Sequence, residues 1–337
     1  MKAIGFKTSL PITATESFIE FESPKPAPSA HELLVKIQAI SVNPVDYKVR
    51  QNAAKDTVLE TPKIIGWDAT GIVKAVGENV SLFKQGDAVF YAGDITKQGC
   101  NAEYQVIDER IVGKKPATLS IEAAAAMPLT SLTAWEILFD RIRINAEKDK
   151  GKSILLIGGA GGVGSIAIQL AKKIAGLKVI ATASRPETIE WCKKMGADIV
   201  VNHKDLVNEV HNAGLKFVDF ILDFVDANMY WDTMAELIKP QGHIASITGS
   251  AAPVALNKLK SKSASFSWEL MYTRSTYQTE DMIEQHNILN KVAGLLDEGT
   301  LTSTLSETLN GLTVDNLKKA HALLESGKAI GKIVIKF

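Results

Sequence analysis

The 337-residue sequence combines 46% hydrophobic residues with 38 basic and 38 acidic side chains. A chain of this length and composition is expected to fold into about two domains, each with its own buried core. Because the formal net charge is zero, no overall field attracts phosphate backbones or anionic lipid. We therefore expect neither nucleic acid nor a membrane as a partner.

The cysteines and the amino-terminal residues indicate a cytoplasmic protein. Cys100 and Cys192 are too few for a disulfide framework. Residues 1–21 lack the continuous apolar run and cleavage site of a secretory leader. The uncharged run 153–171 nearly has the length of a bilayer span, but its cluster of glycines is typical of a strand, a tight turn and a helix start.

The first 120 or so residues contain short strand-like runs separated by turn residues, which predicts a mostly β region. The predicted strands are LLVKIQAI (33–40), ATGIVKAV (69–76), DAVFYA (87–92) and AEYQVI (102–107).

The pattern changes after Ser120. Residues 121–138 contain strong helix formers broken once by Pro128. Apolar strand runs then alternate with helical stretches, and this rhythm predicts a parallel sheet with helices on both faces, a doubly wound α/β domain. The five predicted strands are SILLIG, KVIATA, DIVV, VDFILD and HIASIT. The helix before the last of these is predicted to run from Met229 to Gly242.

After about Gln278 the chain leaves this rhythm. Residues 281–299 and 313–329 predict amphipathic helices, and GKIVIKF (331–337) predicts a closing strand. We expect this segment to rejoin the β-rich region.

A glycine turn follows the strand ILLIG and opens the next helix. It matches the G-x-G-x-x-G spacing that lets backbone N–H groups reach a pyrophosphate at a helix N-terminus. The alternative is a glycine-rich turn without a ligand. The candidate cofactor-binding residues here are Gly159, Gly161, Gly162, Val163 and Gly164.

The second strand of this region ends at Ser184 and Arg185, where an acidic side chain would bind the ribose of NAD. A hydroxyl and a guanidinium suit a 2′-phosphate better, so the sequence predicts NADPH rather than NADH. Alternatively, Ser184 caps the helix that begins near Pro186.

Further candidates follow the later strands at the same edge of the sheet. His203 is expected near the adenine side of the cofactor, unless it is an ordinary surface histidine. Asp223, Thr248 and Gly249 end the fourth and fifth strands and could line the nicotinamide half.

Several segments resemble the medium-chain dehydrogenase/reductase superfamily, and more narrowly its quinone oxidoreductase branch, in a group labelled zinc-type alcohol dehydrogenase-like. They are NPVDYKVR (43–50), GWDATGIVKAVG (66–77), GGVGSIAIQLAK (161–172) and GKIVI (331–335). The resemblance implies an α/β fold with a GroES-like catalytic domain over residues 1–125, a Rossmann domain over 126–275 and a C-terminal segment, 276–337, that completes the catalytic domain. It also implies a homodimer, with Trp268 and Tyr272 on a late edge strand.

The resemblance also shows where zinc-dependent members carry their ligands. This chain has Asn43, Trp67 and Pro128 at or near those positions, and such a set offers no metal shell. Cys100 alone cannot build the structural zinc lobe. We therefore expect no metal, Trp67 filling the volume with apolar bulk, and a structural role for Asp68.

By the same resemblance, the first of these segments flanks the nicotinamide, so its polar residues are candidate catalytic groups. They are Asn43, Asp46, Tyr47 and Lys48. Alternatively, Asn43-Pro44 starts a helical turn on whose surface Asp46 pairs with Arg50. Thr130 resembles a threonine that contacts the nicotinamide, although its hydroxyl could instead bond to its own helix.

Without a Lewis acid, reduction of an activated acceptor is easier than oxidation of an alcohol. The sequence thus predicts an NADPH-dependent, zinc-independent reductase of a small-molecule quinone or α,β-unsaturated carbonyl. The alternatives are a zinc-dependent alcohol dehydrogenase, or an NADPH-binding sensor or structural protein with little turnover.

Overall fold

The structure, a computed structural model, describes residues 1–337. The chain forms two compact units. The first unit contains Met1–Leu129 and Tyr272–Phe337, and the second contains Thr130–Met271. The domain limits expected from the sequence, after residues 125 and 275, lie within a few residues of these junctions. None of the helices combines the length and the apolar character that crossing a membrane requires.

Eight strands precede the second unit. They are β1 (Lys2–Phe6), β2 (Ile19–Glu22), β3 (Glu32–Val42), β4 (Lys63–Ile64), β5 (Ala69–Val76), β6 (Ala88–Tyr91), β7 (Tyr104–Asp108) and β8 (Val112–Lys114). The helices of the same stretch are α1 (Pro44–Asn52) and α2 (Ile121–Ala125). Helix α3 (Pro128–Trp135) begins in the first unit and continues into the second, where a π-helical segment, Glu136–Arg141, follows it.

The second unit alternates strands and helices. Its strands are β9 (Ser153–Ile157), β10 (Lys178–Thr182), β11 (Ile199–Val201), β12 (Val218–Asp223), β13 (Ile238–Ser246) and β14 (Ser265–Trp268). Its helices are α4 (Gly162–Gln169), α5 (Pro186–Met195), α6 (Leu206–Asn212) and α7 (Ala227–Leu237). The chain then returns to the first unit with α8 (Thr273–Tyr277), α9 (Glu284–Asp297), β15 (Leu305–Asn310), α10 (Val314–Glu325) and β16 (Lys332–Lys336).

The second unit confirms the predicted doubly wound fold. Its six strands are all parallel, in the order β11-β10-β9-β12-β13-β14. Because β9 has β10 on one side and β12 on the other, the direction of winding reverses between β9 and β12. In open α/β sheets a ligand binds beyond the carboxyl ends of the strands at such a reversal. The glycine turn directly follows β9.

The first unit contains a three-stranded sheet, β2-β1-β4, and a seven-stranded sheet in which β7 also pairs with β3. Both faces of β3 are largely buried, as expected of a central strand. The closing strand β16 pairs antiparallel with β3, with Ile333 opposite Val42. Lys332 therefore lies beside the residues that lead from β3 into α1.

The structure corrects two element predictions. The helix expected to reach Gly242 ends at Leu237, because the backbone turns extended at Ile238 (ψ 132°) and Pro240 follows. A proline blocks a helix at and just before its own position. Tyr272 is not in a strand: β14 ends at Trp268, an edge position as expected, and Tyr272 is the buried residue that caps the start of α8.

Candidate functional site

The glycine turn forms a cradle of backbone at the end of β9. Gly158 has φ +90°, which side chains rarely allow. Helix α4 then starts at Gly162 with Gly161 as its N-cap and no side chain closing the end. The first N–H groups of a helix have no partner within the helix, and together with the helix dipole they favour an anion.

The glycines are needed for different reasons. A Cβ on Gly164 would lie 2.3 Å from the Gly158 carbonyl oxygen, and one on Gly159 would lie 2.8 Å from the Ala181 Cβ. These two positions permit close packing of strand, turn and helix. A Cβ on Gly161 would meet only the Gly158 oxygen, at 3.6 Å, so this position leaves room for a ligand. The chemistry and space of the turn fit a dinucleotide pyrophosphate.

Ser184 and Arg185 follow β10, but the predicted cap is wrong. Helix α5 is capped by Arg185, whose backbone N–H donates to the Thr188 hydroxyl at 3.1 Å. The sequence offers Ser184 as the cap because serine is the more usual capping residue. The Arg185 guanidinium is 38% exposed and its Nε lies 3.3 Å from Glu187. This end of the strand therefore presents a cation with one carboxylate beside it.

The other predicted cofactor residues differ in what they contact. Asp223 is buried at the end of β12 and accepts from the Ser246 hydroxyl at 2.8 Å and the Thr248 hydroxyl at 3.0 Å. Its other oxygen accepts from the backbone N–H groups of Val225 and Asp226. The side chains of Asp223 and Thr248 thus bind the loops after β12 and β13 together.

Three further predicted residues differ in their surroundings. His203 begins a short 3₁₀ turn after β11 and is partly exposed. Gly249 has open space around the position of a Cβ. Thr130 is buried in α3.

In the first unit, four polar side chains form a buried group, here called the lysine cluster: Asn43, Asp46, Asp68 and Lys332. The Lys332 ammonium contacts Asp68 Oδ2 at 3.1 Å and the Val42 carbonyl oxygen at 3.1 Å, and it donates to Asn43 Oδ1. Asn43 Nδ2 donates to Asp68 Oδ2 at 3.1 Å and to the Ser41 carbonyl at 3.4 Å. Both amide hydrogens of Asn43 are thus directed at protein acceptors.

Asp68 also accepts from the Leu129 N–H, at 3.1 Å, in the first turn of α3. Burial raises the pKa of Asp68, while Lys332, Leu129 and Asn43 oppose that rise. Three donors, one of them a cation, therefore contact the Asp68 carboxyl group. Asp68 thus links Asn43, Lys332 and the first turn of α3.

Asp46 is the acid of the lysine cluster that has one carboxyl oxygen without a hydrogen-bond partner. Its Oδ2 accepts from the Asn43 N–H at 2.8 Å, which caps α1, while Oδ1 is buried without a partner. Burial raises the pKa of Asp46 from 3.8 to about 7, against the opposing effects of the Asn43 N–H and Lys332. The carboxyl of Asp46 thus exchanges its proton near neutral pH.

The surface pair expected between Asp46 and Arg50 does not exist. Helix α1 forms as that alternative predicts, but both side chains point into the unit, and Arg50 pairs with Glu325 and the Leu10 carbonyl. Burial is the reason, because a helix packed on its neighbour turns this face inward.

The four candidate catalytic residues do not all come together. Asn43 and Asp46 belong to the lysine cluster. Tyr47 is half-buried and burial raises its pKa, whereas Lys48 is exposed on α1. Lys332 was not among the predicted site residues. The sequence feature that points to it is a lysine directly before the apolar residues of the closing strand.

The residues present do not fit a catalytic zinc. Trp67 is fully buried and its Nε1 donates to the Asp94 carbonyl at 3.0 Å, and Pro128 begins α3. No group of three His, Cys, Asp or Glu side chains is placed as a metal shell. The Asp68 carboxylate, which accepts from the Asn43 amide, also faces the Lys332 ammonium. Zinc needs three or four N, S or O ligands, and these side chains are committed to other contacts.

Comparisons with known proteins agree with this architecture. Residues 162–285 match the family model described as zinc-binding dehydrogenase, and residues 29–117 match the alcohol dehydrogenase GroES-like domain. A zinc-type alcohol dehydrogenase-like protein of Staphylococcus epidermidis is 47% identical over 99% of either chain. A 2-methylene-furan-3-one reductase of Solanum lycopersicum is 31% identical over 90% of this chain and 71% of its own. The Escherichia coli quinone oxidoreductase, solved in complex with NADPH, has 26% identity and a TM-score of 0.85 over 100% of each chain.

Proposed function

Because the chain belongs to the medium-chain dehydrogenase/reductase superfamily, in its quinone oxidoreductase branch, we propose that this oxidoreductase uses NADPH, needs no zinc, and reduces quinones or α,β-unsaturated carbonyls. The observation that carries the proposal is the lysine cluster, which puts an amide, a carboxylate and an ammonium ion where metal-dependent relatives would hold a Lewis acid. The names of the tomato and Escherichia coli proteins support these two acceptor classes.

The second unit would hold the cofactor. The N-terminus of α4, which no side chain caps, binds the pyrophosphate, with Gly161 allowing close approach. Arg185 favours the 2′-phosphate, because a guanidinium forms charge-assisted bonds with phosphate oxygens. NADPH supplies a hydride when bound.

The first unit would supply the proton. Conjugation spreads the charge that hydride addition brings onto the acceptor oxygen, so a neutral proton source suffices and no metal is required. Asp46 suits this task because its buried carboxyl exchanges a proton near neutral pH and Oδ1 has no other partner. Asn43 and Lys332 hold Asp46 and Asp68 in place.

The test is a steady-state survey of NADPH and NADH oxidation with quinones and enones, set against alcohol oxidation with NADP. We expect turnover of conjugated acceptors, a preference for NADPH, and no loss after exhaustive treatment with a zinc chelator. Alcohol oxidation that disappears with the chelator would refute the proposal. Tight NADPH binding without turnover of any acceptor would favour the sensor instead.

Asp46→Asn tests the proton role separately. We expect kcat to fall and its dependence on pH near neutrality to disappear. Asp315→Asn, an exposed acid on α10, is the matched control and should leave the pH profile as in the wild type. An unchanged profile in Asp46→Asn would remove Asp46 from the reaction.

A further inference from the structure

The ammonium of Lys332 is the buried cation of the lysine cluster. Its side chain is 3% exposed, and an isolated ammonium at such a position would be strongly destabilising. Three acceptors compensate it: the Val42 carbonyl, Asn43 Oδ1 and Asp68 Oδ2. An ammonium group has three N–H donors, so none remains for a substrate.

These acceptors come from the two segments that carry zinc ligands in metal-dependent relatives. Asn43 lies at the start of α1, and Asp68 directly follows Trp67 before β5. Lys332 arrives from β16, the strand that pairs with β3, and bridges them. A single positive charge therefore lies between residue 43 and residue 68.

We propose that the Lys332 ammonium takes the place of a metal ion between the two segments, where it bridges them and fixes the Asn43 amide and the Asp68 carboxylate. The inference rests on the proposed zinc-independent reduction. Lys332 is a positioning residue, because all its donors are used within the protein. Its effect reaches the reaction through the groups that it orients and through its charge.

The charge acts on Asp46. Lys332 attracts the ionised form of Asp46, while burial and Asp68 favour the protonated form. The groups that face Asp46 are the Asn43 N–H from α1, Lys332 from β16, Asp68 before β5, Cys100 in the loop before β7, and Tyr272 at the start of α8. Lys332 is the cation in this set. Its loss should move the ionisation of Asp46 to higher pH.

The experiment compares Lys332→Met and Lys332→Arg in the full-length protein with NADPH and a quinone. In Lys332→Met we expect kcat to fall at least tenfold, KM for NADPH to stay within twofold, and the neutral inflection of the kcat–pH profile to move up by at least one pH unit. Lys332→Arg, which keeps the charge, should keep the inflection near its wild-type position. Lys239→Met, which removes a surface lysine paired with Asp219, is the control and should change neither value.

If Lys332 had only a structural role, its substitution would lower activity but leave the inflection of the kcat–pH profile at its wild-type position. That result would overturn the proposal. Infrared difference spectra between low and high pH give a second reading, because a protonated carboxyl has its own carbonyl band. We expect an Asp46 band, absent in Asp46→Asn, that persists to higher pH in Lys332→Met.

If Lys332→Met does not fold, the wild-type protein still decides. Lysine-selective ¹⁵N NMR of the NADPH complex should show an ammonium signal that is protected from exchange with solvent and absent in Lys332→Arg. Free exchange of that ammonium with solvent would overturn the inference. Elemental analysis separates the two proposals: about one zinc per chain would refute the zinc-independent function itself, whereas zinc-free active protein with a freely exchanging Lys332 ammonium would refute the internal cation alone.

Discussion

Two buried carboxylates, Asp223 and Asp68, are held by different means in the two units. In the second unit, Asp223 accepts from two hydroxyl groups and two backbone N–H groups, all of them neutral. In the first unit, Asp68 faces the ammonium of Lys332. The neutral donors of Asp223 fix the loops after β12 and β13 without adding a positive charge. The first unit instead keeps a complete ion pair with a second, titratable acid next to it.

Because of this difference, we expect removal of Asp68 and removal of Asp223 to lower the free energy of unfolding by different amounts. Asp68→Ala leaves the Lys332 ammonium buried without its counter-ion, and we expect a loss of about 3–5 kcal/mol in the free energy of unfolding. Asp223→Ala leaves only neutral donors without an acceptor and should cost about 1–3 kcal/mol. Urea unfolding measures both.

The double variant Asp68→Ala/Lys332→Met serves as the control, since removing both charges should recover part of the loss. A larger loss in the free energy of unfolding for Asp223→Ala than for Asp68→Ala would contradict this expectation.

In the first unit, two buried groups make the free energy of unfolding depend on pH in opposite directions. Burial lowers the pKa of His321 from 6.5 to about 3, so the unfolded chain binds the proton first and stability falls as the pH drops below 6.5. Asp46, raised from 3.8 to about 7, keeps its proton longer when folded, so its contribution falls as the pH rises from 3.8 to 7. Each effect reaches about 1.4 kcal/mol per pH unit.

Single substitutions should separate the pH dependence of stability due to His321 from that due to Asp46. Both ring nitrogens of His321 lack a partner, and the ring packs edge-on against Phe18, so His321→Phe should fold and gain stability on acidification from pH 6.5 to 4. Asp46→Asn should lose stability over the same interval. Unfolding curves at several pH values measure both, and parallel slopes in the two variants would contradict the assignment.

In the second unit, substitutions in the glycine turn should affect stability and NADPH affinity through the space that a side chain occupies rather than through charge. Gly164→Ala brings a methyl group against the backbone of Gly158 and should cost about 1–3 kcal/mol of stability, together with NADPH affinity. Gly161→Ala fits the free protein and should change stability by about 0.5 kcal/mol or less, yet weaken NADPH about tenfold by filling the space left for the ligand. Equal NADPH affinity in Gly161→Ala and wild type, measured by calorimetry, would show that the pyrophosphate binds elsewhere.

The smallest expected effect concerns Arg185. Arg185→Ala should weaken NADPH by about 1.5 kcal/mol, the lower end for a lost charge-assisted bond, because the guanidinium is partly exposed. The affinity for NADH should stay the same. Lys193→Ala, an exposed cation in the last turn of α5, is the matched control. An equal loss of affinity for NADPH and NADH in Arg185→Ala would refute the predicted preference for NADPH.

The sequence predicts the second unit well because its elements are local. The run SILLIG, the glycine turn and the following helix are contiguous. In the first unit, residues 69–76 likewise form strand β5 as predicted. Pro128 separates α2 from α3 as expected. Where a local pattern was ambiguous, prediction failed: alternating aromatics near Tyr272 mimic a strand, and β1, β2, β4 and β15 have no clear pattern.

The lysine cluster could not be predicted in the same way. Lys332 and Asn43 are 289 positions apart, and a lysine that opens a strand is ordinarily exposed. Its burial depends on the pairing of β16 with β3, which no local pattern encodes. The inward direction of Asp46 likewise depends on how α1 packs.

That separation along the chain has a consequence during synthesis. The ribosome produces all of the second unit before it produces β16, so the parallel sheet can form while the larger sheet of the first unit still lacks its inner strand. Until Lys332 emerges, the nascent first unit exposes a partner-less edge at β3 and two carboxylates without their cation. Until then, residues 39–42 of β3 remain available for pairing with the edge of another chain.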